Sequence, residues 1–373
     1  MVPANLFSSS GDVRDGRPTS DQARFQQFVA DVRARTDSWL ASWLAARVSE
    51  ARNRGADVGA VADSIRQLVL RGGKRMRAVL LAAVYEGFEG EGGVEAVVPA
   101  GAALELLQAY LLSHDDWMDG DDLRRGGPSV PAMMRARFGR PNPAAPGPDR
   151  ADAAAILAGD LASAWALGSL LELKVAPARV LRAMQELGRV EADVVQGQVL
   201  DVCASAGDRG DVEAGYALKT GSYTVCGPIL MGARLAGASE DDVSALTAFA
   251  EPAGIAFQLR DDVLGTFGDA KNTGKSSGSD LRRGKRTAIV VDAMRDPRAV
   301  ALLTPVLGRA DATEAETEQA VAYLESSGAR ARVDERIATL VKQSLGELER
   351  VHLTARGRSL LAQALVALTT RDR

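Results

Sequence analysis

Apolar residues recur along most of this chain at helical rather than strand spacing. Phe28, Val32, Trp39, Trp43, Leu44 and Val48 share one face, which predicts one or two amphipathic helices over residues 20–52. Asn53-Arg54-Gly55 then supplies residues suited to a helix C-terminus. Val58 to Leu70 predicts a further helix, Gly72-Gly73 breaks the chain, and another helix begins near Lys74. Val97 to Met118 is long and apolar, with Pro99 tolerated near its first turn, and it ends in the loop from Gly120 to Pro128. Residues 151–174, 176–204 and 211–236 predict Ala/Leu-rich helices. Asp241 to Phe267 predicts a long helix kinked at Pro252, and residues 285–370 a set of shorter ones. Two stretches lack periodicity. The proline-rich run from Arg140 to Arg150 reads as an intradomain loop, and the polar, Gly-rich run from Asp269 to Gly284 as a mobile loop.

No alternating strand pattern and no fixed-period repeat emerges. Several helices are apolar around most of their circumference, which places central helices inside a ring of others. The expectation is an all-α bundle forming a single domain over residues 20–373. Residues 1–19, rich in Ser, Gly, Asp and Pro, form a disordered lead-in.

Composition agrees. Hydrophobic residues make up 46% and charged residues 25%, which suffices for a large core, and aromatics at 5% favour helix over sheet. A net charge of −4 leaves no basic footprint for nucleic acid. Cys203 and Cys226 cannot build a disulfide framework or a Cys-rich metal site, and read as buried core thiols. No uncharged apolar run of about 18 residues and no basic-then-apolar leader is present. The expected compartment is the cytoplasm, with no transmembrane span.

Charge changes the picture at two places. Asp115-Asp116-Trp117-Met118-Asp119 and Asp261-Asp262-Val263-Leu264-Gly265 each end a long apolar helix. Like charges at i, i+4 repel, and carboxylates near a helix C-terminus oppose the macrodipole. A hard divalent cation relieves both costs. Mg²⁺ typically takes one or two carboxylates and completes its shell with water and substrate phosphates. A Ca²⁺ loop starting at Asp115 fails, because Trp117 and Gly126 stand where ligands are needed.

Basic residues accompany these clusters. Arg124 and Arg125 follow the first one, and guanidinium forks suit phosphate oxygens. Gly72-Gly73-Lys74-Arg75-Met76-Arg77 opens a helix with three cations. The spacing is not that of a Walker loop, yet a basic first turn conflicts with the dipole unless an anion binds there. Lys219, Thr220 and Gln258 are polar residues on apolar helices, and unpaired lysines are seldom buried. Lys275 and Lys285 flank the second cluster's loop and are placed to close over phosphates.

Taken in order, Gly72-Gly73-Lys74-Arg75-x-Arg77, His114-Asp115-Asp116-x-x-Asp119, Arg124-Arg125-Gly126, Gly197-Gln198-x-Leu200-Asp201, Lys219-Thr220, Gln258-x-x-Asp261-Asp262, Thr273-Gly274-Lys275 and Gly284-Lys285-Arg286-Thr287 resemble the trans-isoprenyl diphosphate synthases, or polyprenyl synthetases. The motifs stand in family order over roughly residues 70–290. The resemblance implies an isoprenoid synthase-type helical bundle with a central substrate cavity, assembled as a homodimer. It implies three Mg²⁺ ions per active site holding an allylic diphosphate, with Asp115, Asp119 and Asp261 as main ligands and Asp116 and Asp262 in support. Arg124, Lys219 and Lys275 would contact that diphosphate, with Lys285 closing over it. Gly73, Lys74, Arg77, Gln108 and Arg125 would hold the diphosphate of isopentenyl diphosphate. Lys219, Thr220 and Gln258 would stabilise the carbocation, and the released diphosphate would take the proton.

Three departures from the family pattern stand out. Gly265 replaces the third Asp of the second cluster, with Asp269 four residues on as a candidate substitute. Gln108 and Pro131 each stand where many relatives carry His. Tyr110 and Leu111 lie five and four residues before Asp115, and five residues of helix rise about 7.5 Å. Tyr110 is therefore the expected floor of the product pocket. One aromatic there, with no insertion in the first motif, resembles enzymes that make the C20 product, geranylgeranyl diphosphate, from dimethylallyl, geranyl or farnesyl primers. The C15 farnesyl product is the alternative. A class I terpene cyclase is argued against by Asp261-Asp262 and the Lys74/Arg77 group, and a non-catalytic subunit by the intact first cluster.

Overall fold

A computed structural model describes residues 20–139, 149–203, 212–268, 277–309 and 311–370. The lead-in expected at 1–19, nearly all of the proline-rich loop, Asp269 and Lys275 lie outside them. Helix α1 (Ser20–Arg54) runs unbroken and buries Phe25, Phe28, Val32, Leu40, Leu44 and Val48 along one stripe. Helix α2 (Ala56–Leu70) packs against it. Helix α3 (Met76–Gly87) starts later than the sequence pattern suggests, because Arg75 adopts left-handed backbone (φ 51, ψ 31) and sets the boundary. It is buried without interruption from Ala78 to Tyr85.

Helix α4 (Gly93–Asp119) is the second central helix, buried from Val97 to Leu107 and closed by Gly120 at φ 69. The loop after it contains a minimal antiparallel hairpin, β1 (Leu123–Arg124) against β2 (Gly127–Pro128). Helix α5 (Val130–Phe138) follows, with Ser129 accepting from the Ala132 N–H. Pro131 falls in its first turn, where a missing N–H costs nothing. Helices α6 (Arg150–Leu170) and α7 (Pro177–Cys203) come next, α6 packed along α4.

The single helix expected over 211–236 is three pieces: α8 (Val212–Tyr216), a π-helix (Ala217–Cys226) and α9 (Gly227–Ala236). The cause is tertiary. A Cβ on Gly254 would stand 2.7 Å from the Gly221 Cα, so the two backbones touch. The Ser222 hydroxyl donates back to the Leu218 and Lys219 carbonyls at 2.6 and 3.1 Å, which helps satisfy acceptors in the widened turn. Helix α10 (Glu240–Phe267) continues through Pro252. The remainder is α11 (Ser279–Arg282), α12 (Ala288–Ala293), α13 (Pro297–Leu303), α14 (Glu314–Ser326), α15 (Ala329–Leu348) and α16 (Ala355–Thr369).

Two large apolar clusters hold the bundle. One joins α3, α9, α10, α15 and α16; the other joins the second half of α1 with α2, α4, α6 and α7. Each fully buried Leu or Phe in them contributes about 1.5–3 kcal/mol. Helices α4 and α6 are long and apolar enough to cross a membrane, but 67% of the apolar window of α4 is covered by its neighbours, as for a core helix, against 44% for α6. Cys226 is a buried thiol as expected. Cys203 is exposed, because the last turn of α7 carries it out with Val199, Leu200 and Val202.

Candidate active site

The first acidic cluster occupies the last turn of α4. Asp115 and Asp119 share a face, while Asp116 points inward and is fully buried. The chain reverses through the β1–β2 hairpin and brings Arg124 back onto the cluster. Its Nε donates to Asp116 Oδ1 at 2.7 Å and its Nη2 to the same oxygen. The same guanidinium reaches Asp121 at 3.2 Å and Asp115 at 3.9 Å. Burial holds the Asp116 carboxyl above the usual carboxylate range against the pull of Arg124. Asp119 is raised as well, by partial burial and by the Asp115 charge, while Lys285 and Arg283 oppose the shift.

Adjacent Arg125 turns the other way. Its backbone is left-handed (φ 51), a conformation costing about 1–3 kcal/mol in a non-glycine residue. Its Nη2 donates to Gln108 Oε1 at 2.8 Å, and a Cβ on Gly73 would lie 3.8 Å from its guanidinium. Burial lowers the Arg125 pKa, and the charges of Arg75, Arg77 and Arg124 add to the effect against Glu105. Positive charge is therefore concentrated around Arg125, which favours an anion there. Arg77 is held with its guanidinium 4.4 Å over the Tyr223 ring and donates to Thr224 at 2.9 Å. Lys74 is exposed at the mouth of the same turn.

Arg75 is turned into the core. It donates to Glu105 at 2.6 Å, to Asp37 at 2.7 Å and to the Val69 carbonyl at 2.8 Å. Arg71 donates to the Pro128 and Arg124 carbonyls at 2.6 and 3.1 Å, which ties the hairpin to the end of α2. One short hairpin thus presents consecutive arginines to two different sites.

The second cluster lies on α10. Asp261 is half-exposed, and Asp262 is buried. Asp262 accepts from the Tyr216 hydroxyl and, at 2.8 Å, from Gln258 Nε2. Burial pushes its carboxyl up to about 7, with the Asp280 charge adding to the shift. Tyr216 accepts in turn from the Ala288 N–H at 2.9 Å, so Asp262 is joined to the start of α12. Burial and Asp262 push the Tyr216 hydroxyl far above its ordinary value.

Lys219 and Thr220 sit half-buried on the π-helix, where Lys219 pairs with Asp201 of α7. Gly197 permits this approach, since a Cβ there would stand 2.8 Å from the Lys219 nitrogen. The segment after α11 spans the two clusters. Arg283 pairs with Asp121 at 2.7 Å and approaches Asp119 at 3.9 Å. The Lys285 charge acts on both Asp119 and Asp262.

Tyr110 and Leu111 are half-buried on α4, five and four residues before Asp115. The Tyr110 ring stands edge-on to His114, centroids 4.9 Å apart. Burial raises its hydroxyl pKa, with Glu191 of α7 and Asp160 of α6 adding to the shift.

The sequence reading missed Arg71, Asp121, Tyr216, Asp280 and Arg283. Asp121 was legible as one more carboxylate beside the motif. The others act through contacts that no spacing reveals.

Among the described residues, no three His, Cys, Asp or Glu side chains converge into a finished metal centre. That suits a cation that completes its shell with substrate phosphates and water. The donor set fits such an ion. It consists of oxygens, Asp116 Oδ2 is buried without a partner, and the repulsion between Asp115 and Asp119 is incompletely offset.

Comparison with known proteins identifies the family and the fold. The polyprenyl synthetase family matches residues 59–324. Geranylgeranyl diphosphate synthase of Methanosarcina mazei is 34% identical over 297 residues, 75% of this chain and 85% of the relative. Geranylfarnesyl diphosphate synthase of Aeropyrum pernix is 31% identical over 298 residues, 76% of this chain and 85% of the relative. The crystal structure of geranylgeranyl pyrophosphate synthase from Corynebacterium glutamicum, complexed with isoprenyl diphosphate and magnesium, superposes with a TM-score of 0.83 at 30% identity, covering 93% of this chain and 99% of that one. The fold and site define an all-helical, divalent-metal-dependent prenyltransferase acting on isoprenyl diphosphates. The chain belongs to the polyprenyl synthetase family.

Proposed function

We propose that this enzyme condenses isopentenyl diphosphate head-to-tail with an allylic diphosphate, with geranylgeranyl diphosphate as the product. The observation that carries the reading is the pair Arg124 and Arg125. One faces an acidic cluster and the other a basic pocket, as two adjoining diphosphate sites require. Magnesium, when bound, neutralises the allylic diphosphate and stabilises the charge that develops as it leaves. Asp115, Asp119 and Asp261 would hold it, three ions per site as in the family pattern, with Asp116 and Asp262 positioned from behind by Arg124 and Tyr216.

Arg124, Lys219 and Lys285 supply preorganised positive charge for the leaving group, which lowers the barrier to ionisation. Arg125, Gln108, Arg77, Lys74 and Gly73 orient the second substrate's diphosphate. The Thr220 hydroxyl, the Gln258 amide and the Lys219 carbonyl on the π-helix side face the allyl cation. Lys275 would join the allylic contacts. Tyr110, backed by Leu111, floors the pocket and limits growth, which together with the relatives' names supports the C20 product. We read residues 20–373 as one domain of a cytoplasmic homodimer that binds no nucleic acid.

The test is direct. Purified protein is incubated with Mg²⁺, isopentenyl diphosphate and, separately, dimethylallyl, geranyl and farnesyl diphosphates, and the dephosphorylated alcohols are identified. A dominant C20 alcohol is expected. A C15 or C25 alcohol would keep the chemistry and remove Tyr110 as floor. Cyclic hydrocarbon without elongation would overturn the reading in favour of a cyclase.

A further inference from the structure

Gly265 leaves the second acidic cluster one carboxylate short. It lies one helical turn beyond Asp261, on the same face of α10. The space a side chain would take there is filled. A Cβ built on Gly265 would overlap the Asp280 carboxylate, whose Cγ would stand 2.7 Å away. The Asp280 carboxylate therefore stands where the side chain of an aspartate at 265 would begin.

Its placement is built into the fold. The Gly278 N–H and the Ser277 hydroxyl both donate to the Thr266 carbonyl, at 3.0 and 3.2 Å, which clamps the start of α11 onto the last turn of α10. Asp280 is 6% exposed. Burying a carboxylate so deeply is costly without a strongly bound cation, and Lys285 approaches only to 3.6 Å. The far end of α11 reaches the first cluster through Arg283, so the helix lies between the two acidic groups.

We propose that Asp280 supplies the carboxylate that Gly265 withholds, so that the divalent-metal site takes its third oxygen donor on the α10 side from α11. Glycine at 265 is then a requirement of the arrangement, since any side chain there would displace Asp280. The inference rests on the function proposed above, because it concerns the same metal site.

The test uses Mn²⁺ as probe, titrated into the full chain with inorganic diphosphate, free Mn²⁺ being read by electron paramagnetic resonance. Asp280→Ala and the isosteric Asp280→Asn are expected to weaken diphosphate-dependent Mn²⁺ binding by about 10- to 100-fold. The double variant Gly265→Asp with Asp280→Ala, which returns a carboxylate to the vacated space, is expected to recover most of that affinity. Circular dichroism melts establish that each variant is folded, and Asp280→Asn serves where Asp280→Ala does not fold. Wild-type affinity in Asp280→Asn overturns the inference. So does a folded double variant as weak as Asp280→Ala. If the wild-type chain binds no Mn²⁺ with diphosphate, the function proposed above fails with it.

Discussion

Replacing Glu105 by Gln isolates the buried charge beneath the basic pocket. Arg75 and Glu105 are 2% and 3% exposed and meet at 2.6 Å, while the second partner of Arg75, Asp37, has a side chain 35% exposed. The amide keeps the shape and removes one charge, so cavity effects do not enter. Breaking a buried pair by neutralising one partner costs about 3–5 kcal/mol. With Asp37 still facing Arg75, the lower end, about 3 kcal/mol, is expected. At about 2.1 cal/mol/K per residue, the 373-residue chain has an unfolding entropy near 0.8 kcal/mol/K, so the melting temperature should fall by about 4 °C. Arg75 is itself the left-handed residue between Lys74 and the turn that carries Arg77, so its anchoring to Glu105 fixes both, and the Glu105 charge acts on Arg125. The KM for isopentenyl diphosphate should therefore rise while that for the allylic substrate holds. Calorimetry at fixed protein concentration and two-substrate kinetics read both effects. An unchanged melting temperature, or an equal rise in both KM values, would refute the reasoning.

Three further outcomes are expected. Tyr110→Ala should lengthen the product, read by chromatography of the dephosphorylated alcohols; an unchanged length removes Tyr110 from the pocket floor. Gly254→Ala should lower stability by about 1–3 kcal/mol in denaturant unfolding, because a methyl group would press on the Gly221 backbone, and a neutral result would contradict the backbone contact. Asp242 has its pKa lowered despite burial, which acts to raise it, because the His352 N–H and the Ser239 hydroxyl both donate to it. A depressed carboxylate stabilises the fold above its unfolded pKa and loses that contribution as pH falls through the folded value. The melting deficit of Asp242→Asn at pH 7 should therefore shrink below about pH 4; a deficit constant with pH would exclude the charge as its source.

What was legible in the sequence was local. Helical spacing anticipated α1, α4, α6, α7 and α10 because each presents a long apolar surface, and paired aspartates beside apolar runs marked the candidate cation site. The π-helix was not legible, since its cause is the meeting of Gly221 with Gly254 from another element. Nor was the inward turn of Arg75, which depends on Glu105 lying opposite. Gly265 read as a missing ligand because the residue that fills its space, Asp280, lies across a loop. The role of Tyr216 was not legible either, because its hydroxyl joins Asp262 to the Ala288 N–H across three elements. Spacing reveals which residues share a face; it does not reveal which face another helix will meet.

The most direct measurement of the central claim compares Arg124→Gln with Arg125→Gln under steady-state conditions with both substrates varied. On the proposed function each would lose one charge-assisted contact to a diphosphate, worth roughly 10- to 100-fold in affinity. Arg124→Gln is predicted to raise the KM for the allylic substrate alone, and Arg125→Gln the KM for isopentenyl diphosphate alone. Equal effects of both variants on both substrates would contradict two separate sites straddled by one hairpin.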